Sequence, residues 1–214
     1  MGFNYPVMLD MENKEVLIIG GGLVALRKLR LIRRTGAHVT VIAKDVCPMV
    51  AEKAEKGEIK LIQRSFAMTD INLIRPFFVC AATDDAQLNS QIAGFCQSQG
   101  MLVNTITEPG DGNVIVQASI DRGQFAVNIS TFGQSPGFSR ALRQYLETFL
   151  DKDLNRAVAI YIEIRKWLFD TESDTDRRGE LLKRLSLADI RRMIADGTYT
   201  NEEITERVKE WLSC

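Results

Sequence analysis

A glycine-rich segment near the start of the chain carries the strongest chemical signal. Residues 20–25 are Gly-Gly-Gly-Leu-Val-Ala, which fits the pattern G-x-G-x-x-G/A between a strand and a helix. In this pattern the first glycine makes a tight turn, the second lets a pyrophosphate approach the backbone, and the third small residue keeps the helix close to the strand. Free N–H groups at the start of the helix bind the phosphates. The sequence therefore predicts a dinucleotide site formed by Gly20, Gly22, Leu23, Val24 and Ala25.

The end of the next predicted strand bears on the identity of the dinucleotide. In NAD sites this strand usually ends in Asp or Glu, which binds the ribose hydroxyls. Ala43 occupies that position here and is predicted to lie at the cofactor. Asp45 follows two residues later. Lys44 is either a cation suited to a 2′-phosphate or a solvated lysine. These residues leave the choice between NAD and NADP open.

A later apolar run, residues 76–82, ends in Ala82 and is followed by Thr83 and Asp84. Ligands in open α/β sheets bind at the carboxyl edge of the strands. Small side chains at this edge leave room for a cofactor, to which the Thr83 hydroxyl can donate a hydrogen bond. The alternative interpretation, compatible with the first, is that Thr83 or Asp84 caps the following helix.

The elements that must position these residues alternate over the first 113 residues. Short apolar or β-branched runs are separated by stretches with helical spacing. The runs are residues 16–19, 38–42, 59–62, 76–82 and 101–104. Strands that alternate with helices predict parallel pairing and right-handed crossovers. The sequence thus predicts the α/β class, with a Rossmann-type parallel sheet.

The pattern changes after residue 113. Residues 114–120 and 124–130 are two extended runs around residues 121–123, Asp-Arg-Gly, which together predict a β-hairpin. A helix is predicted to follow as far as residue 150. Because two strands alone are marginal in water, the hairpin must pack on the helices, on the first domain or on a partner subunit.

The rest of the chain has helical spacing, with breaks predicted at Gly179 and Gly197. Three regions are therefore predicted. They are a dinucleotide-binding domain (1–113), a hairpin and helix for dimerisation and substrate binding (114–150), and a helical C-terminal domain (151–214).

Composition and charge argue against several classes of protein. The chain has 214 residues, 27 basic and 28 acidic, and a net charge of -1, which does not suit a nucleic-acid-binding protein. No apolar run reaches the roughly 18–20 residues that span a bilayer, and no signal peptide is expected. The four cysteines form no CxxC pair and there is one histidine, so no metal site is expected. Scattered cysteines of this kind are expected to be reduced thiols in a cytoplasmic protein.

Motifs spread over residues 5–150 resemble one protein family. They are Tyr5-Pro-Val-Met-Leu-Asp10, residues 14–25 with Arg27-Lys28, Ala81-Ala-Thr-Asp84, Val103-Asn104, Ala118-Ser-Ile-Asp-Arg-Gly123, and residues 129–136 with Arg140 and Arg143. In this order and spacing, the sequence is similar to the precorrin-2 dehydrogenase family, which includes the N-terminal module of siroheme synthase. Gln117 departs from the family pattern, in which a proline is common.

The resemblance implies an activity, a cofactor and an assembly. It implies NAD-dependent oxidation of precorrin-2 to sirohydrochlorin in siroheme or cobalamin biosynthesis, and some members also insert ferrous iron to give siroheme. It implies a homodimer in which the segment after the nucleotide domain is exchanged between subunits. It also implies that Asn104 lies beside the cofactor. No counterpart of the methyltransferase module found in some members is expected in these residues.

The substrate implied by the resemblance is a tetrapyrrole with eight carboxylate side chains, so its site should offer cations. Arg140 and Arg143 are three residues apart and share a face of the predicted helix that begins near Ser135. These three residues are the predicted substrate-binding group, with Arg27 and Lys28 as further cations. The alternative is that the arginines form a solvated helix face.

The reaction moves a hydride to the nicotinamide and a proton to a base. In the family an aspartate at one of two places on the loop after the Val-Asn strand is implicated. This chain has Thr107 at the first place, with Glu108 beside it, and Asp111 at the second. Asp111 is the predicted catalytic residue and Glu108 the second choice. Asp111-Gly112 also suits a simple turn.

The sequence also fits a different class of function. A dinucleotide- or tetrapyrrole-sensing module with no turnover would fit the missing acid after the second strand and the displaced loop carboxylate equally well. Ligand binding without turnover distinguishes it from the enzyme.

Overall fold

A parallel sheet with helices on both faces forms the first part of the molecule. The computed structural model describes residues 5–107 and 110–213. They group into two compact units, which are described separately. The first takes the chain up to Val116 together with Thr131–Ser135, and the second takes Gln117–Ser130 and the residues from 136 onward. The structure thus places the hairpin and the later helices in one unit, where the sequence separated 114–150 from 151–214.

The first unit alternates strands and helices as predicted. Its elements are β1 (Glu15–Ile19), α1 (Leu23–Arg33), β2 (His38–Ala43), α2 (Pro48–Glu55), β3 (Lys60–Gln63), α3 (Thr69–Ile74), β4 (Phe78–Ala81), α4 (Ala86–Ser98) and β5 (Leu102–Thr105). The strands form one sheet in the order β3-β2-β1-β4-β5, and all neighbours are parallel. This confirms the predicted α/β fold with a Rossmann-type sheet. Helix α3 was not predicted, because six residues are too few to show a helical period.

The core of the first unit lies on both faces of the sheet. On β1, Val16 and Ile18 pack with residues of α1 and α2, whereas Leu17 and Ile19 pack with residues of α3 and α4. A strand covered on both faces is apolar at successive positions, since neither set of side chains meets water. Each such side chain contributes about 1.5–3 kcal/mol of burial free energy, which fixes the sheet as the rigid frame of this unit.

The strand order places one crevice at the carboxyl edge. The chain moves from β1 outward to β2 and β3, then returns to β4 on the other side of β1. The connections after β1 and β4 therefore leave in opposite directions, and ligands of open α/β sheets bind at such a point. The segments that follow these two strands are the glycine-rich turn and residues 82–85.

The second unit contains the hairpin and a group of helices. Its elements are β6 (Ala118–Asp121), β7 (Ala126–Ile129), α5 (Pro136–Glu147), α6 (Lys152–Thr171), α7 (Thr175–Arg184), α8 (Leu187–Asp196) and α9 (Asn201–Ser213). The two strands are antiparallel, which confirms the predicted hairpin. Helices α6, α8 and α9 share an apolar core that includes Ile164, Ile190 and Ile204.

One of the two predicted glycine breaks is wrong. Gly197 ends α8 in the left-handed conformation, with φ +71°, as predicted. Gly179 lies inside α7 instead of ending a helix. The break comes before α7, where the Asp174 carboxylate accepts hydrogen bonds from the first backbone N–H groups of the helix. Because capping carboxylates favour helix starts, Asp174 was the better signal.

An ion pair between a buried carboxylate and a half-exposed arginine supports the connection between β3 and β4. The Asp70 side chain is 4% exposed. It accepts hydrogen bonds from Arg64 Nη1 at 2.8 Å, Arg64 Nη2 at 2.6 Å and the Ala67 backbone N–H at 2.9 Å. The Arg64 guanidinium beside it lowers the pKa of the Asp70 carboxyl, with a further contribution from the Ala67 N–H.

We expect Asp70→Asn to lower the free energy of unfolding by about 2 kcal/mol at pH 7, because charge-assisted hydrogen bonds are lost. The folded-state pKa of Asp70 lies below its ordinary value of about 4. Its stabilisation is therefore present above pH 4 and is lost as the pH falls through the folded-state pKa. Urea unfolding between pH 3 and 7 measures this, with Asp84→Asn, an exposed aspartate, as control. A difference between wild type and Asp70→Asn that stays constant over this range would contradict the assignment.

Candidate functional site

Gly20 brings the ends of β1 and β4 together. Its φ of +115° belongs to a region that L side chains rarely adopt. A Cβ on Gly20 would overlap the carbonyl oxygen of Ala82 and lie 2.6 Å from its carbonyl carbon. The Ala82 N–H in turn donates to Ile19 O at 2.8 Å. Both conformation and packing therefore require glycine, in agreement with the tight turn predicted here.

Gly21 has a structural role that the sequence pattern did not reveal, since the motif treats its position as variable. A Cβ on Gly21 would overlap the carbonyl oxygen of Asp45 and lie 2.6 Å from Val46 Cγ1. The carbonyl of Gly21 also accepts a hydrogen bond of 2.8 Å from the Cys47 N–H. The loop after β2 is thus packed directly on the glycine turn. Three consecutive glycines were the only signal of this contact in the sequence.

Gly22 differs from the two glycines before it. Its φ of -81° and ψ of -171° suit any residue, and within the described residues no atom outside its own chain neighbours lies within 4 Å of an added Cβ. Protein packing therefore gives no reason for glycine at this position. Close approach of a ligand to the backbone does give one, because a Cβ would project into the space that the ligand occupies. The turn thus fits a dinucleotide pyrophosphate.

Helix α1 begins directly after this turn with unpaired donors. Gly22 supplies no side-chain cap, and the first turn contains no acidic residue. The first intrahelical hydrogen bond runs from Leu26 N–H to Gly22 O, at 3.0 Å, so the N–H groups of Leu23, Val24 and Ala25 have no acceptor within the helix. These N–H groups would hold the phosphates of a bound dinucleotide. The side chain of Ala25 is buried and lets α1 pack on the sheet.

The predicted residues at the ends of β2 and β4 have packing roles. Ala43 is the last residue of β2 and is buried, as is Ala82 after β4. Lys44 and Asp45, by contrast, are exposed. Small buried side chains at both strand ends keep the edge of the sheet free of protruding groups. A direct contact of either alanine with a cofactor stays a prediction.

Thr83 belongs to a network that joins β4, α4 and the loop after β5. Its hydroxyl donates to Asn89 Oδ1 at 2.7 Å. Asn89 Nδ2 donates to the Thr83 carbonyl at 3.0 Å and to Thr107 Oγ1 at 2.9 Å. Asn89 is 1% exposed, so these bonds satisfy a buried amide. This residue was missed from the sequence, although an asparagine in line with Ile92 and Cys96 on the apolar face of a helix was a signal.

The predicted helix cap after β4 is corrected by the structure. Helix α4 is capped by Asp85, whose Oδ1 accepts from the Leu88 N–H at 3.0 Å, and not by Thr83 or Asp84. The hydroxyl of Thr83 is already bonded to Asn89, and the backbone of Asp85, directly before the helix, is extended. Extended backbone at this position is what a capping side chain requires.

Asn104 holds the segment that follows β5, the strand at one edge of the sheet. Its Nδ2 donates to Val114 O at 2.9 Å, and Val114 N–H donates to Val103 O at 3.0 Å. Asn113 Oδ1 accepts from Val103 N–H at 2.8 Å, so this segment covers the edge of the strand. Asn104 Oδ1 is buried without a hydrogen-bond partner among residues 5–107 and 110–213. Contact of Asn104 with the cofactor stays a prediction.

Asp111, the predicted catalytic residue, is held against helix α4. Its Oδ2 accepts a hydrogen bond of 2.6 Å from Ser90 Oγ, and its carbonyl accepts one of 2.5 Å from Gln97 Nε2. Thr107, at the other family position, is bonded to Asn89 as described above. Helix α4 therefore holds both positions. Glu108, the second choice, lies outside the described residues.

The two further cations predicted near the turn differ in environment. Arg27 is exposed, whereas Lys28 is half-buried on α1. Burial lowers the pKa of the Lys28 amine, and the neighbouring Cys80 thiol opposes that shift. Burial also raises the pKa of Cys80 to about 12. Lys28 is thus partly withdrawn from solvent.

The predicted substrate-binding residues lie around the start of α5. Ser135 closes a turn, since its N–H donates to Thr131 Oγ1 at 3.1 Å. Arg140 is exposed. Arg143 is half-buried and forms an ion pair of 3.0 Å with Glu147, one helical turn later. Substrate binding by these residues stays a prediction.

Among the described residues there is neither a cluster of metal-ligating side chains nor a membrane-spanning helix. In residues 5–107 and 110–213, no three or more His, Cys, Asp or Glu side chains are grouped so that they could hold a metal ion. In the same ranges, no helix has the length and apolar character needed to cross a membrane.

The strand order and the glycine turn define a dinucleotide-binding protein of the Rossmann class. Residues 7–118 match a family model described as putative NAD(P)-binding. Precorrin-2 dehydrogenase of Bacillus subtilis (strain 168) is 34% identical over 161 residues, 75% of this chain and 98% of that protein. The solved structure of SirC, a precorrin-2 dehydrogenase, aligns with a TM-score of 0.79 and 26% identity, covering 97% of this chain and 100% of that one.

Longer relatives match over the same region. Siroheme synthase of Nitrosococcus oceani is 38% identical over 151 residues, which are 71% of this chain and 32% of that protein. The chain thus spans about a third of the length of the siroheme synthases that it matches. It belongs to the precorrin-2 dehydrogenase and siroheme synthase family, which confirms the resemblance found in the sequence.

The three glycines give a first test of the site. We expect Gly22→Ala to leave the free energy of unfolding within about 0.5 kcal/mol of wild type, because the added Cβ meets no protein atom. It should weaken dinucleotide binding at least about tenfold, because the Cβ blocks close approach to the backbone. Urea unfolding and calorimetric titration with NAD⁺ measure the two effects.

Gly20→Ala is the matched comparison. It should destabilise the protein by about 3 kcal/mol, because it combines an unfavourable φ with overlap of a backbone carbonyl. Equal loss of stability in both variants, or unchanged nucleotide affinity in Gly22→Ala, would contradict the roles assigned to these glycines.

Proposed function

We propose that this chain is a precorrin-2 dehydrogenase, which oxidises precorrin-2 to sirohydrochlorin with NAD⁺ as hydride acceptor. NAD⁺ becomes NADH and one proton is released. The observation that carries the proposal is the turn at Gly22, open to a ligand and followed by the unpaired N–H groups of α1. It occurs in a chain that covers 98% of a relative named precorrin-2 dehydrogenase.

Different residues of the chain are assigned to cofactor binding and to proton transfer. A bound NAD⁺ supplies the hydride acceptor. The N–H groups of Leu23 and Val24 hold its phosphates, and the buried small residues at the ends of β2 and β4 leave room at the carboxyl edge. We assign Asp111 as the proton acceptor, with Ser90 fixing the orientation of its carboxylate through the 2.6 Å hydrogen bond.

Arg140 and Arg143 are assigned to the substrate carboxylates. Precorrin-2 is a polyanion, and guanidinium groups bind carboxylates through paired charge-assisted hydrogen bonds. Arg140 is exposed and so available to such a ligand. Arg143 would exchange its bond to Glu147 for one to the substrate.

Turnover of precorrin-2 with NAD⁺, followed by absorbance, tests the activity. We expect Asp111→Asn to lower kcat by about 10²–10⁴-fold, the usual contribution of a general base, with NAD⁺ affinity unchanged. Ser90→Ala should lower kcat less, by about tenfold. Asp170→Asn, which changes an exposed aspartate on α6, serves as control. Adding Fe²⁺ after oxidation tests whether the same chain goes on to make siroheme.

Two results would overturn parts of this proposal. Wild type that binds NAD⁺ but does not oxidise precorrin-2 would favour the sensing module. Full activity of Asp111→Asn would show that Asp111 only holds the loop on α4.

A homodimer is the assembly that the hairpin and α5 support. Strands β6 and β7 pair only with each other among the described residues, and a two-stranded sheet is marginal in water. Helix α5 packs on both strands, but Ser139 is its only buried residue. Phe138, Tyr145 and Phe149 are 58%, 62% and 53% exposed. A second copy of this chain would cover these rings and extend the sheet.

Tyr145→Arg tests the dimer. We expect wild type to sediment with the mass of two chains, and Tyr145→Arg to raise the dissociation constant at least about tenfold, since a charge replaces a ring at the covered face. Leu73→Arg changes a leucine on α3 that is 79% exposed and serves as control. A wild-type protein that stays monomeric at micromolar concentration would refute the dimer.

The proposed location is the cytoplasm. Cys47, Cys80 and Cys96 are free thiols. Burial raises the pKa of Cys80 to about 12 and that of Cys96 to about 11, so these two are unreactive core residues. Free thiols support a reducing compartment.

A further inference from the structure

The buried amide of Asn89 fixes the direction of the hydrogen bonds at this part of the carboxyl edge. The Thr83 backbone N–H donates to Asn89 Oδ1 at 3.2 Å, and a backbone N–H can only donate, so the atom that faces it must be the amide oxygen. The other amide atom is therefore the nitrogen Nδ2, which donates to Thr107 Oγ1 at 2.9 Å. Since Asn89 is 1% exposed and bonds in this orientation with both its oxygen and its nitrogen, turning the amide over would bury unpaired groups.

The hydroxyl of Thr107 consequently acts as an acceptor toward Asn89 and keeps its own proton for another partner. A threonine hydroxyl has one proton to donate and two lone pairs that accept. Within residues 5–107 and 110–213, the bond from Asn89 is the one hydrogen bond that this hydroxyl makes. Thr107 is partly exposed and follows the end of β5 by two residues. A hydroxyl donor is thus held at the carboxyl edge of the sheet without an acceptor in the described part of the chain.

The other two hydroxyls of this network already donate their protons within the protein. Thr83 Oγ1 donates to Asn89 Oδ1 at 2.7 Å, and Ser90 Oγ donates to Asp111 Oδ2 at 2.6 Å. The Thr83 hydroxyl, from which the sequence predicted a hydrogen bond to a cofactor, is therefore engaged. Of the three hydroxyls, that of Thr107 has the proton for which the described residues supply no acceptor.

Thr107 and the proposed proton acceptor are held by consecutive residues of α4. Asn89 binds Thr107, and Ser90 binds Asp111. Because consecutive Cα atoms are about 3.8 Å apart, both groups are held beside the same turn of the helix. A substrate whose reacting atom lies at Asp111 would therefore bring its rim to Thr107.

We propose that Thr107 is a substrate-binding residue whose hydroxyl donates a hydrogen bond to one carboxylate of the tetrapyrrole. The strong acceptors at the rim of this polyanion are carboxylates, and a hydroxyl bonds an ionised acceptor about twice as strongly as a neutral one. An uncharged donor suits this place, since a second acidic group beside Asp111 would repel the substrate. The inference rests on the proposed function, because it concerns the substrate of that reaction.

Titration of the full chain with sirohydrochlorin, the product of the proposed reaction, tests the inference without turnover. Thr107→Val keeps the shape of the side chain and removes the hydroxyl. We expect it to weaken sirohydrochlorin binding at least about tenfold, because a hydrogen bond to a charged group is lost, and to raise KM for precorrin-2 by a similar factor. Thr107→Ser keeps the hydroxyl and should bind within about threefold of wild type. The affinity for NAD⁺ should not change in either variant.

Thr35→Val is the matched control. It removes a threonine hydroxyl that donates to Ile32 O at 2.6 Å. Thr35 lies between the end of α1 and the start of β2, which is the amino edge of the same sheet. This variant should bind sirohydrochlorin and NAD⁺ as wild type does. Comparable thermal unfolding midpoints of the two valine variants would show that loss of a hydrogen bond as such does not weaken binding.

The outcomes separate the inference from the proposed function. Unchanged sirohydrochlorin binding in Thr107→Val overturns the inference and leaves the proposed function standing, even if kcat falls, because Thr107 would then only hold the loop. Loss of NAD⁺ affinity in that variant, alone or together with sirohydrochlorin affinity, also overturns it. Weaker sirohydrochlorin binding alone, restored in Thr107→Ser, supports the inference even if wild type does not oxidise precorrin-2. Wild type that binds no tetrapyrrole overturns both.

Discussion

The geometry of the carboxyl edge of the sheet depends on close contacts that the backbone makes with other segments at Gly20 and Gly21. Gly20 lets the end of β4 lie against the end of β1, and Gly21 lets the loop after β2 lie on the turn. Neither approach leaves room for a Cβ, so sterics rather than attraction fix the geometry. Because α1 starts directly after Gly22, these contacts determine where its unpaired N–H groups are presented. The phosphate site is therefore made of backbone, and its precision comes from packing in the sheet below it.

Helix α4 organises the other side of this edge. Asn89, buried in its first turns, bonds to both the end of β4 and Thr107. Ser90 next to it, on the exposed face, bonds to Asp111. The loop after β5 is thus positioned by a helix rather than by the strand from which it emerges. The orientation of the proposed proton acceptor consequently depends on a hydroxyl of α4 and not on the glycine turn.

The second unit contrasts with the first in how it obtains stability. The helices from α6 onward enclose an apolar core of their own. The hairpin and α5 do not, since the aromatic side chains of Phe138, Tyr145 and Phe149 remain largely exposed. Exposed rings of this size beside open strand edges are costly in water unless another surface covers them. In a dimer, the same segment that completes the fold would carry the arginines assigned to the substrate, which would link assembly to activity.

The sequence by itself determined the parallel sheet, the hairpin and the turn at Gly20, because apolar period, strand length and glycine spacing are local properties of the chain. It also indicated the family, and through it the loop that carries Asp111. Only the tertiary structure decided that Gly21 supports the loop after β2, that Asn89 joins three segments, and that Ser90 holds Asp111. Ser90 and Asp111 are 21 residues apart, and no local pattern reports such a pair. Its existence depends on how α4 packs beside β5, which is fixed only when the whole sheet has formed.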